Sequence, residues 1–181
     1  MSKVCIVTGA SRGLGRGIAK VLAEERSATV YATARSEAAL NDLALSIKSN
    51  TGVIYPFVLD QSDDSAVEKF ITTVAEKERR IDLLVNSAYG GLTAMTPHFG
   101  KPFWERPISV FDASIDIGLR SAFVSSAIVA PHMVSQKSGL IVQVSSFGGH
   151  SYLFDVGYGV GKAGLDRLSA DMATELSEHG V

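Results

Sequence analysis

The sequence predicts an α/β protein whose strands form a doubly wound parallel sheet. Three observations predict it. Short β-rich runs alternate with longer amphipathic segments along all 181 residues, and most of the runs are apolar on both faces, as a sheet covered by helices on both sides requires. The third is a glycine-rich turn joining the first strand to the first helix.

In chain order, strands are expected at 4–8, 29–33, 53–59, 83–86 and 140–145, and helices at 14–25, 37–48, 63–78, 108–134 and 157–178. This βαβαβαβαβα order implies right-handed crossovers. Between Gly90 and Pro107 lies a long irregular stretch with Pro97, Pro102 and Trp104. A loop of that length in a compact domain is either functional or a misread element. Near the end, His179 falls in a last helical turn and Gly180 where a left-handed closing residue belongs. Five strands fall short of the six that such a sheet ordinarily carries. The expectation is therefore one domain over 1–181, truncated before its sixth strand.

Composition excludes several classes. With 46% hydrophobic residues the chain can bury one sizeable core, and a net charge of −2 with mixed signs gives no footprint for nucleic acid or an anionic membrane. Small-molecule partners are favoured. Cys5, the single cysteine, sits in an apolar run and reads as a small buried hydrophobe, and no His/Cys cluster has metal-ligand spacing. The start is too short in apolar residues for a signal peptide, and no eighteen apolar residues run together. An intracellular, cytoplasmic protein is expected, with membrane association through residues beyond 181 left open.

The turn reads Thr8, Gly9, Ala10, Ser11, Arg12, Gly13, Leu14, Gly15. Glycines 9, 13 and 15 allow a tight turn, close approach of backbone to a pyrophosphate and close helix packing, while the helix N-terminus offers N–H groups to phosphate. No Gly-Lys-Ser/Thr follows, so it is not a P-loop. The pattern Thr-Gly-x-x-x-Gly-x-Gly resembles the cofactor motif of the short-chain dehydrogenase/reductase family, which implies a Rossmann-like fold and a nicotinamide cofactor.

After the second strand comes Arg35, where an NAD-selective site would carry an acid for the ribose 2′-OH. Arg35 and Arg12 together favour a 2′-phosphate and hence NADP(H) over NAD(H). The resemblance assigns Asp60 to the adenine amino group; the residues alone leave Asp60 and Asp63 equally open as caps of the next helix. The run Asn86, Ser87, Ala88, Tyr89, Gly90 resembles the family's Asn-Asn-Ala-Gly turn with Tyr89 interposed. Asn86 and Ala88 join the cofactor contacts on that resemblance, together with Gly9, Ser11, Arg12, Gly13, Leu14, Gly15, Arg35, Tyr158 and Lys162, with Asn86 expected to steady the sheet's central strands more than to touch substrate.

Tyr158 and Lys162 lie one helical turn apart, about 6 Å of rise, on one face. Beside a lysine ammonium a phenol becomes a usable acid/base, and Ser146, twelve residues earlier, can hold a substrate oxygen. The family's Ser, Tyr-x-x-x-Lys pattern maps onto Ser146, Tyr158 and Lys162. Ser145 is the less favoured hydroxyl. One departure is plain: the resemblance implies an Asn in the helix before the fifth strand, ordering a water on the lysine, and no Asn follows Asn86. Asp116 or a backbone carbonyl beside Gly118 is left for that role.

The long loop and the 118–120 segment resemble a branch of the family that implies NADPH-dependent carbonyl reduction of steroid-like or xenobiotic ketones, in a homodimer or homotetramer. Tyr152, Phe154 and Trp104 are candidates for an apolar pocket. Two other readings stand beside the oxidoreductase. One is an NADP(H)-binding scaffold or sensor without turnover; the other is a methyltransferase on the same sheet, which Arg35 disfavours.

Overall fold

The computed structural model describes residues 2–48 and 51–181. Five strands, β1 (Val4–Thr8), β2 (Thr29–Ala34), β3 (Val53–Val58), β4 (Leu83–Asn86) and β5 (Leu140–Gln143), form one parallel sheet in the order β3-β2-β1-β4-β5. The connecting helices are α1 (Gly13–Arg26), α2 (Glu37–Leu45), α3 (Asp64–Glu78), α4 (Gly91–Met95), α5 (Ile108–Ile115), α6 (Ser121–Gln136) and α7 (Val156–Leu176). Order reverses between β1 and β4, which opens a crevice at their carboxyl ends.

β1 shows why the sheet is covered on both sides. All five of its residues are buried, and successive side chains point to opposite faces. Cys5 and Val7 enter a core with Ala19 and Ala23 of α1 and Leu40 and Leu43 of α2. Val4 and Ile6 enter the opposite core, with Phe70, Ile71 and Val74 of α3 and Val129 and Met133 of α6. Cys5 is packed as the small hydrophobe expected, and burial pushes its thiol up to about 11. β3 departs from the two-sided pattern because it is an edge, with Tyr55, Phe57 and Val58 exposed. Pro56 is tolerated there, since its missing N–H faces no further strand.

Three helices begin with a side-chain cap: Ser36 accepts from Ala39 N–H, Asp63 from Ala66 N–H and Asp155 from Tyr158 N–H. α1 has no such cap. At the opposite end of the sheet, Asp82 accepts from Val4 N–H at 2.9 Å and from the side chains of Lys3 and Arg80. Burial opposes its ionisation, but these three donors outweigh it and hold the carboxyl down to about 2.

Several expectations on boundaries change. The 108–134 helix is one helical run, but residues Asp116–Arg120 form a π-turn separating α5 from α6. Within the 90–107 stretch the structure forms α4 and short 3-10 turns at Thr96–His98 and Phe103–Glu105. α7 ends at Leu176, and Gly180 takes φ +74°, the left-handed closing residue anticipated. The continuous run Ile108–Gln136 is long and apolar enough to cross a membrane by length and composition. Here it packs on the sheet, and Ser125 and Ser126 bond to the buried Gln61 and Asn86 beneath it.

Candidate active site

The crevice between β1 and β4 opens into a cleft of about 980 Å³. Gly9, Ser11, Arg12, Gly13, Leu14 and Gly15 line one wall, Arg35 and Asp60 another, and Ala88, Tyr158 and Lys162 the far side. Eleven of the expected site residues thus face one space. The exceptions are Asn86 and Ser146.

The glycine turn is built for close approach. Gly9 takes φ +67°, and a Cβ there would lie 2.7 Å from Ala88 Cα. A Cβ at Gly15 would lie 2.6 Å from the Gly9 carbonyl oxygen. Thr8 Oγ1 accepts from Ser87 N–H at 3.1 Å and Ala88 N–H at 3.2 Å, tying the β1 and β4 turns together. α1 then begins with neither a side-chain cap nor an acid in its first turn. Its leading N–H groups and positive dipole end face the cleft, an arrangement that fits a phosphate. A dinucleotide therefore fits the residues present.

At the β2 end of the cleft, Arg35 is exposed at the wall and Arg12 reaches Thr93 Oγ1 at 3.3 Å. Asp60 does not cap α3; Asp63 does. The Asp60 carboxylate instead accepts from Ser62 N–H at 2.9 Å and Ser62 Oγ at 2.8 Å, which hold it below the usual carboxylate range. Asn86, expected among the cofactor contacts, turns its side chain away from the cleft. Its Nδ2 donates to Ala122 O and Ser126 Oγ of α6. Asn86 follows the buried Leu84 and Val85, and its side chain projects toward the α6 face of the sheet.

On the opposite side, Tyr158 Oη donates to Ser146 Oγ at 2.7 Å. Ser146 is itself fixed by Gly148 N–H at 3.1 Å. Asp155 sets the first turn of α7 by accepting Tyr158 N–H at 2.8 Å. Its second oxygen lies 3.2 Å from Arg106 Nη1, the two side chains being 3% and 7% exposed. Lys162 is buried, donates to Val144 O at 2.7 Å, and desolvation pulls its ammonium below the ordinary lysine value. Ser145 Oγ donates to the Lys162 carbonyl, so it braces the helix while Ser146 meets the tyrosine.

The residues considered in place of the helix asparagine are placed differently. Asp116 is exposed and does not line the cleft. Gly118 is buried in the π-turn against the Tyr89 ring. Of the aromatics proposed for a pocket, Trp104 and Tyr152 are both 73% exposed, while Phe154 packs edge-on to Tyr158 at 5.2 Å. His150 is exposed, 3.6 Å from Asp166. Sequence reasoning noted Tyr89 as an interposed residue but gave no role to it, to Ser114 or to Arg106. The available signal was a bulky Tyr89 followed by two glycines in a turn where small residues are usual. Among the described residues no cluster of His, Cys, Asp and Glu could hold a metal.

Comparison with known proteins shows the family. The family model described as short chain dehydrogenase matches residues 3–181. Dehydrogenase/reductase SDR family member 1 of Mus musculus is 47% identical over 99% of this chain, which spans 57% of that relative's length. A metagenomic short-chain oxidoreductase solved with NADP superposes with a TM-score of 0.86 at 32% identity, covering 98% of this chain and 77% of that one. A 7α-hydroxysteroid dehydrogenase solved with NADH and 7-oxo glycochenodeoxycholic acid gives 0.85 at 27% identity, covering 98% and 66%. The likeness runs from the first strand through the last helix, and the chain belongs to the short-chain dehydrogenase family of nicotinamide-dependent oxidoreductases.

Proposed function

We propose that the protein is an NADP(H)-dependent oxidoreductase interconverting a ketone or aldehyde and an alcohol, working as a carbonyl reductase on steroid-like or xenobiotic substrates. The observation that carries this reading is the Tyr158 Oη to Ser146 Oγ bond of 2.7 Å beside a buried Lys162. Ser146 touches the hydroxyl of the cleft-lining Tyr158, which places the two to meet the same substrate oxygen. When bound, the nicotinamide supplies or accepts the hydride. Tyr158 gives the proton to the carbonyl oxygen, Ser146 donates a second hydrogen bond that holds that oxygen, and the Lys162 ammonium stabilises the phenolate left behind. Lys162 has donors beyond its bond to Val144 O for the nicotinamide ribose.

Preference for NADP(H) rests on Arg12 and Arg35 and on the lack of an acid at the end of β2. Neither fold neighbour decides it, one holding NADP and the other NADH. The steroid-like substrate class is supported by the bile acid in the second neighbour and by Leu92, Ile117 and Tyr89 along the cleft. We further propose a homodimer or homotetramer built on the α5, α6 and α7 surface, where Phe111, Phe123 and Val160 are exposed. The test is NADPH consumption with a panel of ketones, wild type against Tyr158→Phe, with NADPH binding followed by fluorescence. The reading requires turnover lost and binding kept in the variant; equal rates would remove Tyr158 from the chemistry.

A further inference from the structure

Tyr89, interposed in the turn after β4, has no part in the chemistry described so far. Its ring faces the Lys162 ammonium, with Nζ 5.1 Å from the ring centroid. It also meets Tyr158 edge-on at 5.6 Å and 83°. Two glycines make room for it. A Cβ at Gly118 would come 3.0 Å from Tyr89 Cδ2, and one at Gly91 would collide with the Tyr89 hydroxyl and Ser114 Oγ. The hydroxyl pairs with Ser114 Oγ at 3.1 Å, and Ser114 is fully buried in α5. Burial pushes the Tyr89 phenol up to about 12, the Ser114 bond opposing, so the ring stays neutral over the working pH range.

Lys162 needs such a neighbour. Burial disfavours its charge, and of its three donors one is satisfied by Val144 O. The titratable groups facing it are Tyr158 and Asp166 on its own helix and Tyr89 from the β4 turn; Asp166 favours the ammonium. Asp155, at the head of the same helix, acts on Tyr89.

We infer that Tyr89 is a positioning residue for Lys162: its ring face, clamped between Gly91 and Gly118 and pinned by Ser114, holds the ammonium charged and aimed at the cleft beside Tyr158. The quadrupole of an aromatic face attracts a cation within about 6 Å, and more strongly when water is excluded. In this chain the ring fills the space beside the π-turn at Gly118, and no asparagine follows Asn86. The inference rests on the proposed role of Lys162 in catalysis, but its test does not require turnover.

The experiment is NMR titration of the full chain with 13C-labelled lysine, the Lys162 signal assigned by its loss in Lys162→Met. Tyr89→Leu keeps apolar bulk but removes the ring face. The Lys162 midpoint is expected to fall by about half to one and a half pH units, the contribution of a ring to a partly desolvated ammonium. Tyr89→Phe keeps the face and restores the wild-type midpoint. Gly118→Ala, which crowds the ring, gives a smaller fall and carries the test if Tyr89→Leu does not fold. An unchanged or raised midpoint in the Leu variant, or an equal fall in the Phe variant, overturns the inference. A catalytically silent chain with the expected titrations would sink the proposed function and leave this inference standing.

Discussion

The buried pair of Asp155 and Arg106 offers the sharpest test of how the α7 end of the cleft is held. Asp155 does two things at once. One oxygen caps α7 through Tyr158 N–H, and the other faces a guanidinium brought in by the segment before α5. Arg106 is also tied by Nε to Lys101 O at 2.9 Å, so the pair links the 96–107 segment to the helix that carries the tyrosine. Losing an N-cap costs about 1 kcal/mol. Breaking a pair this buried leaves the partner charge uncompensated and costs about 3–5 kcal/mol. Asp155→Ala removes both and should cost about 4–6 kcal/mol, a large share of the 5–15 kcal/mol typical of a domain. Arg106→Met should cost about 3 kcal/mol by stranding the carboxylate. The double variant Asp155→Ser with Arg106→Met keeps a cap and carries neither charge, so it should be nearer wild type than either single charge removal. That sub-additivity, measured by urea unfolding at constant m-value, is the signature. Additive losses, or a single-variant cost below about 1 kcal/mol, would show that the pair does not hold the helix.

Other outcomes follow from the same geometry. Gly9→Ala should abolish NADPH binding and destabilise the fold, because φ +67° and the 2.7 Å approach to Ala88 leave no room. Gly17→Ala, with open space around its Cβ, should instead stabilise α1 by up to about 1 kcal/mol, as thermal unfolding would record. Arg35→Ala and Arg12→Ala should each weaken NADPH binding about tenfold to a hundredfold while leaving NADH binding unchanged, by fluorescence titration; parallel losses for both nucleotides would remove the 2′-phosphate from the explanation. Asp82 sets an acid limit. Its carboxyl is held at about 2 when folded against about 3.9 unfolded. The stabilisation is fully present above the unfolded value and lost as pH falls from about 5 toward 2. Asp82→Asn should cost about 2 kcal/mol near pH 7 and converge with wild type near pH 2; a constant gap across that range would contradict the linkage.

How far the sequence carried this reading depends on what kind of cause placed each residue. The strands were legible because burial on both faces leaves a local signature, and the glycine turn because positive φ and close approach restrict residue type. Tyr158 and Lys162 were legible because four residues of helix dictate one face. Asn86 was legible as a residue that steadies the sheet but not as one that turns to Ala122 and Ser126 of α6 and away from the cleft, since those partners lie far off in sequence. The π-turn at Asp116–Arg120 left no periodic mark within an apolar helical run. Arg106 and Tyr89 act on residues many positions away, and only the fold brings them there. β5 ends at Gln143, two residues earlier than expected: Val144 N–H still donates to Asn86 O of β4, while the Val144 carbonyl and the Ser145 hydroxyl turn to Lys162.

The reversal of strand order between β1 and β4 also partitions the chain. Everything proposed to recognise the adenosine half, from Gly9 to Asp60, precedes β4, and everything proposed for the chemistry, from Tyr89 to Lys162, follows it. The two groups meet through Thr8 and its bonds to Ser87 and Ala88, through the close approach of Gly9 to Ala88, and through Arg12 and Thr93. Nucleotide preference can therefore change by substitution at Arg12 or Arg35 without disturbing the reacting hydroxyls. On the proposed function, new substrates can likewise be admitted by altering cleft positions such as Leu92 and Ile117, while Tyr89, Thr93, Arg106 and the nucleotide cradle stay as they are. Such independence lets one sheet serve many reactions, each half free to diverge at its own pace.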